Sequence, residues 1–514
     1  MSAEPLQETA VRELVVDGVR VFHQPGPSKT RAALFFGVGR QDEAFETIGL
    51  THLVEHLAMS QLPKSHLEAN ASVSVSETAF FAHGRPEEVA TFLRRICTAL
   101  ADLPLDHLHR EKDVVATEGG AGGDLTAAAA WTARYGFEGA GLLATPGYGP
   151  LVHTGDDVLA HVREHFTAAR AALAVLGPLP EGLALPLPAG GPSAPGGPAP
   201  RRFPRPLLGD GPEWVEGPSP GVALLLDGLA PEDYAVRVAH TLLCERLEDV
   251  EREHPELSFS VSSDRMDGAD GDVFTLVVDV PEEAAGQAAA LVWEQLVELA
   301  ANGPGQAELE GVLEAYAAQV DPTDEDVVEN EPFRHAGETV QAVAAGRQGV
   351  TPLARIAAAV ASTTRDDVRE RLAVAARRAL LVLPEGVRLP DSAQQAAPIT
   401  ERSWCPQVSE LPAGRRLRPP LHRRLLRTCA DRTLVLGEHS IAQQDETGSV
   451  HEVRWEDVAG VVEVDGGPGV VVLGRNTCHV WVHPHCCGRA AHAEVLDRLA
   501  PHVERMRRAV SGRH

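Results

Sequence analysis

Basic residues are scarce in this sequence. Its 514 residues include 46 Lys and Arg against 73 Asp and Glu, which gives a formal net charge of −27. Such an acidic surface repels phosphate backbones and anionic lipids, so nucleic acid and an acidic membrane surface are excluded as main partners. A basic peptide would instead be attracted by this charge.

Long apolar runs and a cysteine framework are also missing. No stretch is long enough to cross a bilayer, and the opening residues, MSAEPLQETAVREL, lack the charged-then-apolar pattern of a secretory signal. Seven scattered cysteines are typical of reduced core residues rather than of a disulfide scaffold. We therefore expect a cytoplasmic protein without membrane insertion.

Composition divides the chain into three folded blocks. Pro and Gly concentrate in PLPAGGPSAPGGPAPRRFPRP, and a second break falls around residues 390–420. The boundaries predicted from these breaks are a first unit at 1–190, a linker at 191–218, a second unit at 219–392, a linker at 393–425 and a C-terminal block at 426–514.

The first two blocks repeat one pattern. TGDDVLAHVREHF, starting at Thr154, parallels TRDDVRERLAVAA, starting at Thr364, each with a capping Thr, paired aspartates, a helix and a closing strand. We predict an α+β protein built from two duplicated α/β units, in each of which helices cover a mostly antiparallel sheet. The third block reads as short alternating strands and one helix, which predicts a small C-terminal β-barrel with a closing helix.

The stretch GLTHLVEH, residues 49–56, contains the clearest candidates for metal ligands. On a helix, His52 and His56 lie one above the other, and Glu55 lies on the same side. Two histidines at this spacing are, taken alone, more often core or surface residues than ligands. Catalytic zinc needs a third protein ligand, and a predicted helix supplies Glu111 and Glu118 two turns apart on one face.

The His-x-x-Glu-His order and its surroundings resemble the pitrilysin/insulinase metallopeptidases. The resemblance spans roughly residues 11–390 and is carried by VDGVRVFHQP, GVGRQDEAFETIGLTHLVEHLAMS, NASVSVSETAFFAHGRPEEV, REKDVVATE and LVHTGDDVLAHVREHF. It implies that Zn²⁺ is held by His52, His56 and Glu118. It also implies that Glu55 is the general base and that Glu111 is a supporting catalytic carboxylate.

The same resemblance implies how a peptide is bound. Asn70 and Ala71 open the strand NASVSVSE, along which an extended peptide lies in the family. In the second unit Arg252 matches one member of an Arg and Tyr pair that steadies the reacting carbonyl, but Phe259 stands at the Tyr position. Since relatives with one such half work as two-unit clamshells, we expect a homodimer or a heterodimer with a related peptidase half.

Three functional interpretations remain open. The main one is a zinc metalloendopeptidase that cuts oligopeptides or leader or presequence peptides with a metal-activated water and a glutamate base. The alternative is a catalytically weak or inactive peptide-binding subunit of a heterodimeric peptidase. The third is a structural zinc protein.

The C-terminal block offers two further hypotheses. Its strand pattern is similar to that of small pleckstrin-homology-type barrels, which implies an interaction module. The segment CHVWVHPHCC, Cys478 to Cys487, is rich in metal-binding side chains, but its start alternates as a strand with cysteines facing a small core. The core interpretation is therefore preferred to a second metal site.

Overall fold

The computed structural model describes residues 11–63, 66–118, 124–190, 200–207, 211–229, 233–253, 257, 259–266, 271–321, 323–347, 349–419, 432–464 and 467–511. None of the helices within these residues combines the length and apolar content needed to cross a bilayer.

The first half of the chain forms a six-stranded sheet in the order β1-β2-β6-β3-β5-β4. Only β2 and β6 pair in parallel; the other neighbours are antiparallel. The strands are β1 Arg12–Val16, β2 Val19–Gln24, β3 Thr30–Phe36, β4 Glu68–Val73, β5 Thr78–Gly84 and β6 Ala171–Leu176, and the helices are α1 Leu50–Met59, α2 Pro86–Ala101, α3 Leu108–Glu118, α4 Leu125–Tyr135 and α5 Gly155–His165.

The second half repeats this topology in five of its six strands, in the order β12-β7-β11-β8-β10-β9. Here β7 and β11 are the parallel pair that corresponds to β2 and β6, whereas the edge strand β12 pairs in parallel with β7 and has no counterpart in β1, which is antiparallel to β2. The strands are β7 Glu213–Gly217, β8 Val222–Leu229, β9 Ser260–Met266, β10 Asp272–Asp279, β11 Leu380–Pro384 and β12 Thr400–Glu401. The helices are α6 Tyr234–Glu253, α7 Glu282–Asn302, α8 Gln306–Gln319, α9 Glu325–Ala344, α10 Leu353–Ala361, α11 Arg365–Ala376 and α12 Asp391–Ala396.

The predicted duplication appears in matching helix starts. Thr154 caps α5 and Thr364 caps α11, and each forms a capping box with an aspartate three residues on, Asp157 or Asp367. Each helix then leads into a fully buried strand, β6 or β11, at the centre of its sheet. The α+β class and the repeated units are thereby confirmed.

Each sheet is covered on both faces, and one helix of each half crosses to the other. In the first sheet, Leu173 and Val175 of β6 face α1, α2 and α5, whereas the small Ala172 and Ala174 face Ala336 and Val340 of α9. Reciprocally, α4 packs Ala130 and Trp131 against Ala223 and Leu225 of β8. Each half therefore contributes one helix that packs on the sheet of the other half.

The C-terminal block forms two sheets with helices, and the prediction of a closed barrel is wrong. A four-stranded sheet, β13-β14-β15-β16, lies beside a three-stranded one, β17-β18-β19. Alternating strands need one buried face, and two packed sheets supply it as well as a barrel does. The elements are β13 Arg415–Leu417, β14 Thr433–Leu436, β15 Ser440–Gln444, β16 Val450–Arg454, β17 Val458–Glu463, β18 Val470–Gly474, β19 His479–Val482, α13 Pro484–Cys487, α14 Arg489–Arg498 and α15 Ala500–Ser511.

Structured residues also occur in both predicted linkers. Strand β7 lies within 191–218, and β12 and β13 lie within 393–425. Arg201 is almost fully buried and pairs with Asp42 at 2.6 Å. The predicted domain boundaries stay predictions.

Candidate metal centre

Helix α1 presents His52, Glu55 and His56 on one face. Its start is fixed by the buried carboxylate of Glu43, which accepts hydrogen bonds from the backbone N–H groups of Gly49 (2.9 Å) and Thr51 (2.8 Å). These N–H groups have no partner within the helix, and a carboxylate is favoured at the positive end of the helix dipole. The position of the three side chains thus depends on a residue outside the helix.

Helix α3 brings two carboxylates to this face. Glu118 Oε2 lies 3.5 Å from His52 Nε2 and 3.2 Å from His56 Nε2. Ligands bound to zinc at ~2.1 Å in a tetrahedron are ~3.4 Å apart, so both distances from Glu118 fit the spacing of a zinc ligand set. Glu111 Oε2 lies 3.4 Å from the other ring nitrogen of His56, where a second carboxylate orients a metal-binding histidine.

The site's electrostatics follow from partial burial. Burial raises the pKa of Glu55 to about 7, opposed by nearby His56 and assisted by Glu118 and Glu111. Burial also lowers the pKa of His52, and the neighbouring His56 adds to that effect. A neutral imidazole is the form that binds a metal ion, so these surroundings favour ligation.

A cleft of about 730 Å³ opens beside this cluster. It is lined by His52, Glu55 and Glu118 on one side and by Ala71 and its neighbours on β4 on the other. Because β4 is the last strand of its sheet, one side of its backbone has no neighbouring strand within that sheet. The cleft therefore combines an edge strand with a set of metal-binding side chains.

The predicted peptide contacts are only partly brought together. Ala71 lines the cleft, whereas Asn70 is exposed on the same strand. Arg252 lies on α6, where it forms ion pairs with Glu248 and Asp249 of its own helix and does not line the cleft. The substrate-binding roles of Asn70, Ala71 and Arg252 stay predictions.

The far wall of the cleft rests on the C-terminal block. Tyr148 lines the cleft, and its hydroxyl donates to the carbonyl of His502 (3.2 Å) and accepts from the N–H of Val461 (2.9 Å). Phe45 packs against Tyr148 with ring centroids 5.1 Å apart, and it joins a core formed mainly by the C-terminal block. The C-terminal block therefore packs behind Tyr148 and supports this wall of the cleft.

The sequence analysis did not identify the role of Glu43 or a second cluster of metal-binding side chains. Glu43 had a local signal, because a carboxylate shortly before a helix is a frequent partner of its first N–H groups. Cys405, His451 and Cys478 form a second cluster of metal-binding side chains, with no shared local motif. Five described cysteines are free, as expected, but Cys486 is disulfide-bonded, contrary to expectation.

Comparisons with known proteins agree with this architecture. Residues 153–316 match the family model described as the peptidase M16 inactive domain. Among solved structures, the chain is similar to a peptidase M16 inactive domain from Pseudomonas fluorescens, at 16% identity and a TM-score of 0.58, covering 74% of this chain and 100% of that one. The chain is also similar to a protease from Helicobacter pylori, at 16% identity and a TM-score of 0.58, covering 73% of this chain and 99% of that one.

A third similar structure is a chain of complex III2 from Candida albicans, at 13% identity and a TM-score of 0.56, covering 76% of this chain and 100% of that one. No curated protein matches the sequence significantly. The family-model match over residues 153–316 supports a relationship to the pitrilysin/insulinase superfamily. At such low identities the structural matches establish the fold, and the family model adds the link to M16 peptidases.

The motif predicts an active zinc metalloendopeptidase, and this prediction is wrong. The matching model is that of the inactive domain, which points to a catalytically inactive subunit. The described residues agree with this correction at the two positions that the resemblance pairs as donors to the reacting carbonyl. Arg252 is engaged on its own helix, and Phe259 is buried and has no hydroxyl to donate.

Proposed function

We propose that this chain is a non-hydrolysing, peptide-binding subunit of an M16-type assembly. The observation that carries the proposal is the edge strand β4, which borders a cleft of about 730 Å³ lined by the metal-binding cluster. An extended peptide adds to such an edge through main-chain hydrogen bonds, and adjacent side chains supply selectivity. The match to the inactive-domain model supports binding rather than hydrolysis.

We also propose that His52, His56 and Glu118 hold Zn²⁺. The distances of 3.5 and 3.2 Å from Glu118 Oε2 to the Nε2 atoms of His52 and His56 support this set, and Glu111 would orient the ring of His56. When bound, the metal would supply a Lewis acid that attracts a carbonyl or carboxylate oxygen of the peptide. The net charge of −27 on the chain favours a basic peptide.

The proposal includes a partner chain of related fold, either a second copy or a peptidase half. One chain of similar fold is part of complex III2 from Candida albicans, which supports assembly with other chains. Arg252, which the resemblance pairs with a Tyr, contacts its own helix and does not line the described cleft, which also fits a subunit that works with a partner. Sedimentation of the purified chain, alone and mixed with a related peptidase half, tests this point.

Peptide binding is tested by fluorescence anisotropy with a labelled, basic, extended peptide and the full chain, with and without zinc. Ala71→Phe places a ring in the cleft and is expected to weaken binding by about tenfold or more, or about 1.4 kcal/mol. Ala101→Phe, at an exposed position on α2, serves as the control and is expected to bind as the wild type does. Mass spectrometry of the same samples should recover the peptide intact.

Two outcomes would contradict the proposal separately. Cleavage of the peptide by wild type, abolished in Glu55→Gln, would rule out a non-hydrolysing subunit. Equal binding by Ala71→Phe and the control would rule out the β4 cleft as the peptide site. Zinc content, measured on wild type and on His52→Ala/His56→Ala, tests the metal assignment without reference to activity.

A further inference from the structure

A second cluster of metal-binding side chains lies in the C-terminal block, outside the cleft. Cys405 Sγ lies 2.8 Å from Cys478 Sγ, and His451 Nδ1 lies 3.2 Å and 3.7 Å from these two sulfurs. The three residues come from separate segments: Cys405 follows β12, His451 lies in β16, and Cys478 directly precedes β19. Tertiary folding alone brings their donor atoms together.

The orientation of His451 provides an independent observation. Its second ring nitrogen, Nε2, lies 3.4 Å from the carboxylate of Asp445, so Nδ1 is directed toward the two sulfurs. That carboxylate is itself fixed by the N–H and hydroxyl of Thr447 (2.9 and 2.7 Å) and by the N–H of Ser449 (3.0 Å). A hydrogen-bonded carboxylate behind a histidine is the arrangement that orients metal-binding imidazoles in proteins.

We propose that Cys405, Cys478 and His451 form a binding site for a soft divalent ion, with Zn²⁺ as the expected occupant. Two thiolates and one imidazole are a donor set that zinc prefers, and a water molecule completes the tetrahedron. Zinc at ~2.3 Å from each sulfur sets the sulfurs ~3.8 Å apart, so they separate by about 1 Å on binding. Cys405 lies outside the regular strands, which allows this shift.

The position of the site indicates its role. Cys405 lies next to Trp404, which packs on Gly217 of β7 and whose carbonyl accepts a hydrogen bond from Thr477 at 2.7 Å. The metal would therefore connect the segment that leaves the second sheet to β16 and β19 of the C-terminal block. Because that block buttresses the cleft through Tyr148, the site would stabilise the wall of the peptide cleft from a distance.

The test uses the full chain carrying His52→Ala/His56→Ala, so that the cleft contributes no metal. This protein, prepared under reducing conditions, is expected to retain about one zinc per chain. Replacement of zinc by Co²⁺ should produce the thiolate-to-cobalt charge-transfer band in the near ultraviolet. Adding Cys405→Ser removes one of the two thiolates and should at least halve the band and lower the affinity for Co²⁺ by at least about tenfold.

A matched control and a fold check keep the result interpretable. Cys487→Ser removes another cysteine of the same block, whose thiol faces the carbonyl of His483, and should leave the band unchanged. In an otherwise wild-type chain, Cys405→Ser should keep the circular dichroism spectrum of the folded protein. A band that depends on Cys487 would overturn the proposal, as would a reduced protein that binds no metal or a thiol count showing that Cys405 and Cys478 form a disulfide.

Discussion

At the scale of single residues, the histidines around α1 divide into two kinds. His52 and His56 are partly exposed, and His52 lines the cleft, whereas His153 and His161 are buried behind the helix. Burial lowers the pKa of His161 to about 3 and that of His153 to about 4. His161 Nε2 lies 3.0 Å from the hydroxyl of Thr51, so its neutral ring helps to hold the helix that carries the candidate ligands.

The depressed pKa of His161 makes stability dependent on pH. Above the unfolded value of about 6.5 the ring is neutral in both states; below it, the unfolded chain binds a proton that the folded chain does not. Stability is therefore lost as the pH falls from 6.5 toward 3. Glutamine does not titrate, so His161→Gln lacks this loss. The unfolding free energy of the variant minus that of wild type should therefore be larger at pH 4.5 than at pH 7.5, by up to ~2.7 kcal/mol.

Urea unfolding followed by circular dichroism at both pH values measures this shift. The control is His439→Gln, at a histidine whose side chain is 86% exposed, and its difference from wild type should not change with pH. An equal pH dependence for both variants would show that His161 is protonated in the folded protein.

The sequence predicted residues related by helical spacing but not those related by tertiary folding. His52, Glu55 and His56 lie within one helical turn or so, and the two-turn spacing of Glu111 and Glu118 could be read directly. Cys405 and Cys478 are 73 residues apart and share no motif, so only the structure brings them together. Arg252 is a case in which sequence matching misleads. The expected residue type stands at the position that the resemblance assigns, but its side chain pairs with Asp249 of its own helix.

At the scale of elements, the start of α1 depends on a carboxylate outside it. Glu43 is buried, and its two oxygens accept the N–H groups of Gly49 and Thr51. Glu43→Ala leaves both N–H groups without their partner and removes a buried side chain. We expect a loss of unfolding free energy of ~1–3 kcal/mol, measured by urea unfolding at pH 7.5.

The control for this variant is Glu164→Ala, at a carboxylate on α5 whose side chain is 68% exposed, which should change stability by less than ~0.5 kcal/mol. Similar losses in the two variants would mean that the Glu43 hydrogen bonds do not set the start of α1. Glu43→Gln keeps one acceptor oxygen and is expected to fall between wild type and Glu43→Ala.

Element patterns also show where sequence reasoning succeeds and fails. The capping boxes at Thr154 and Thr364 are complete within four residues, so both helix starts could be predicted. Alternating strands in the C-terminal block indicated one buried face each but not which strands pair. The division into four-stranded and three-stranded sheets is determined by contacts between distant segments.

At the scale of the whole molecule, the exchange of helices makes the two halves one packed structure. Arg134 of α4 is fully buried and donates to the carbonyls of Leu225 and Arg378 in the second half. In return, α9 packs on the first sheet at β2 and β6, where alanines allow close approach. A linker rich in Pro and Gly suggests independent units, and local sequence carries no sign of this exchange.

Helix α9 approaches the backbone of the first half closely at Gly37. A Cβ atom there would lie 2.5 Å from the carbonyl oxygen of Val340 and 3.2 Å from the Cβ of Ala344, so the helix would have to move. Gly37→Ala should therefore lower the unfolding free energy by ~1–3 kcal/mol, as overpacking does. Gly311→Ala on α8, where no atom lies within 4 Å, should instead be neutral or stabilise by ~0.5–1 kcal/mol. If urea unfolding gives both variants the same stability, α9 does not hold the two halves together at this contact.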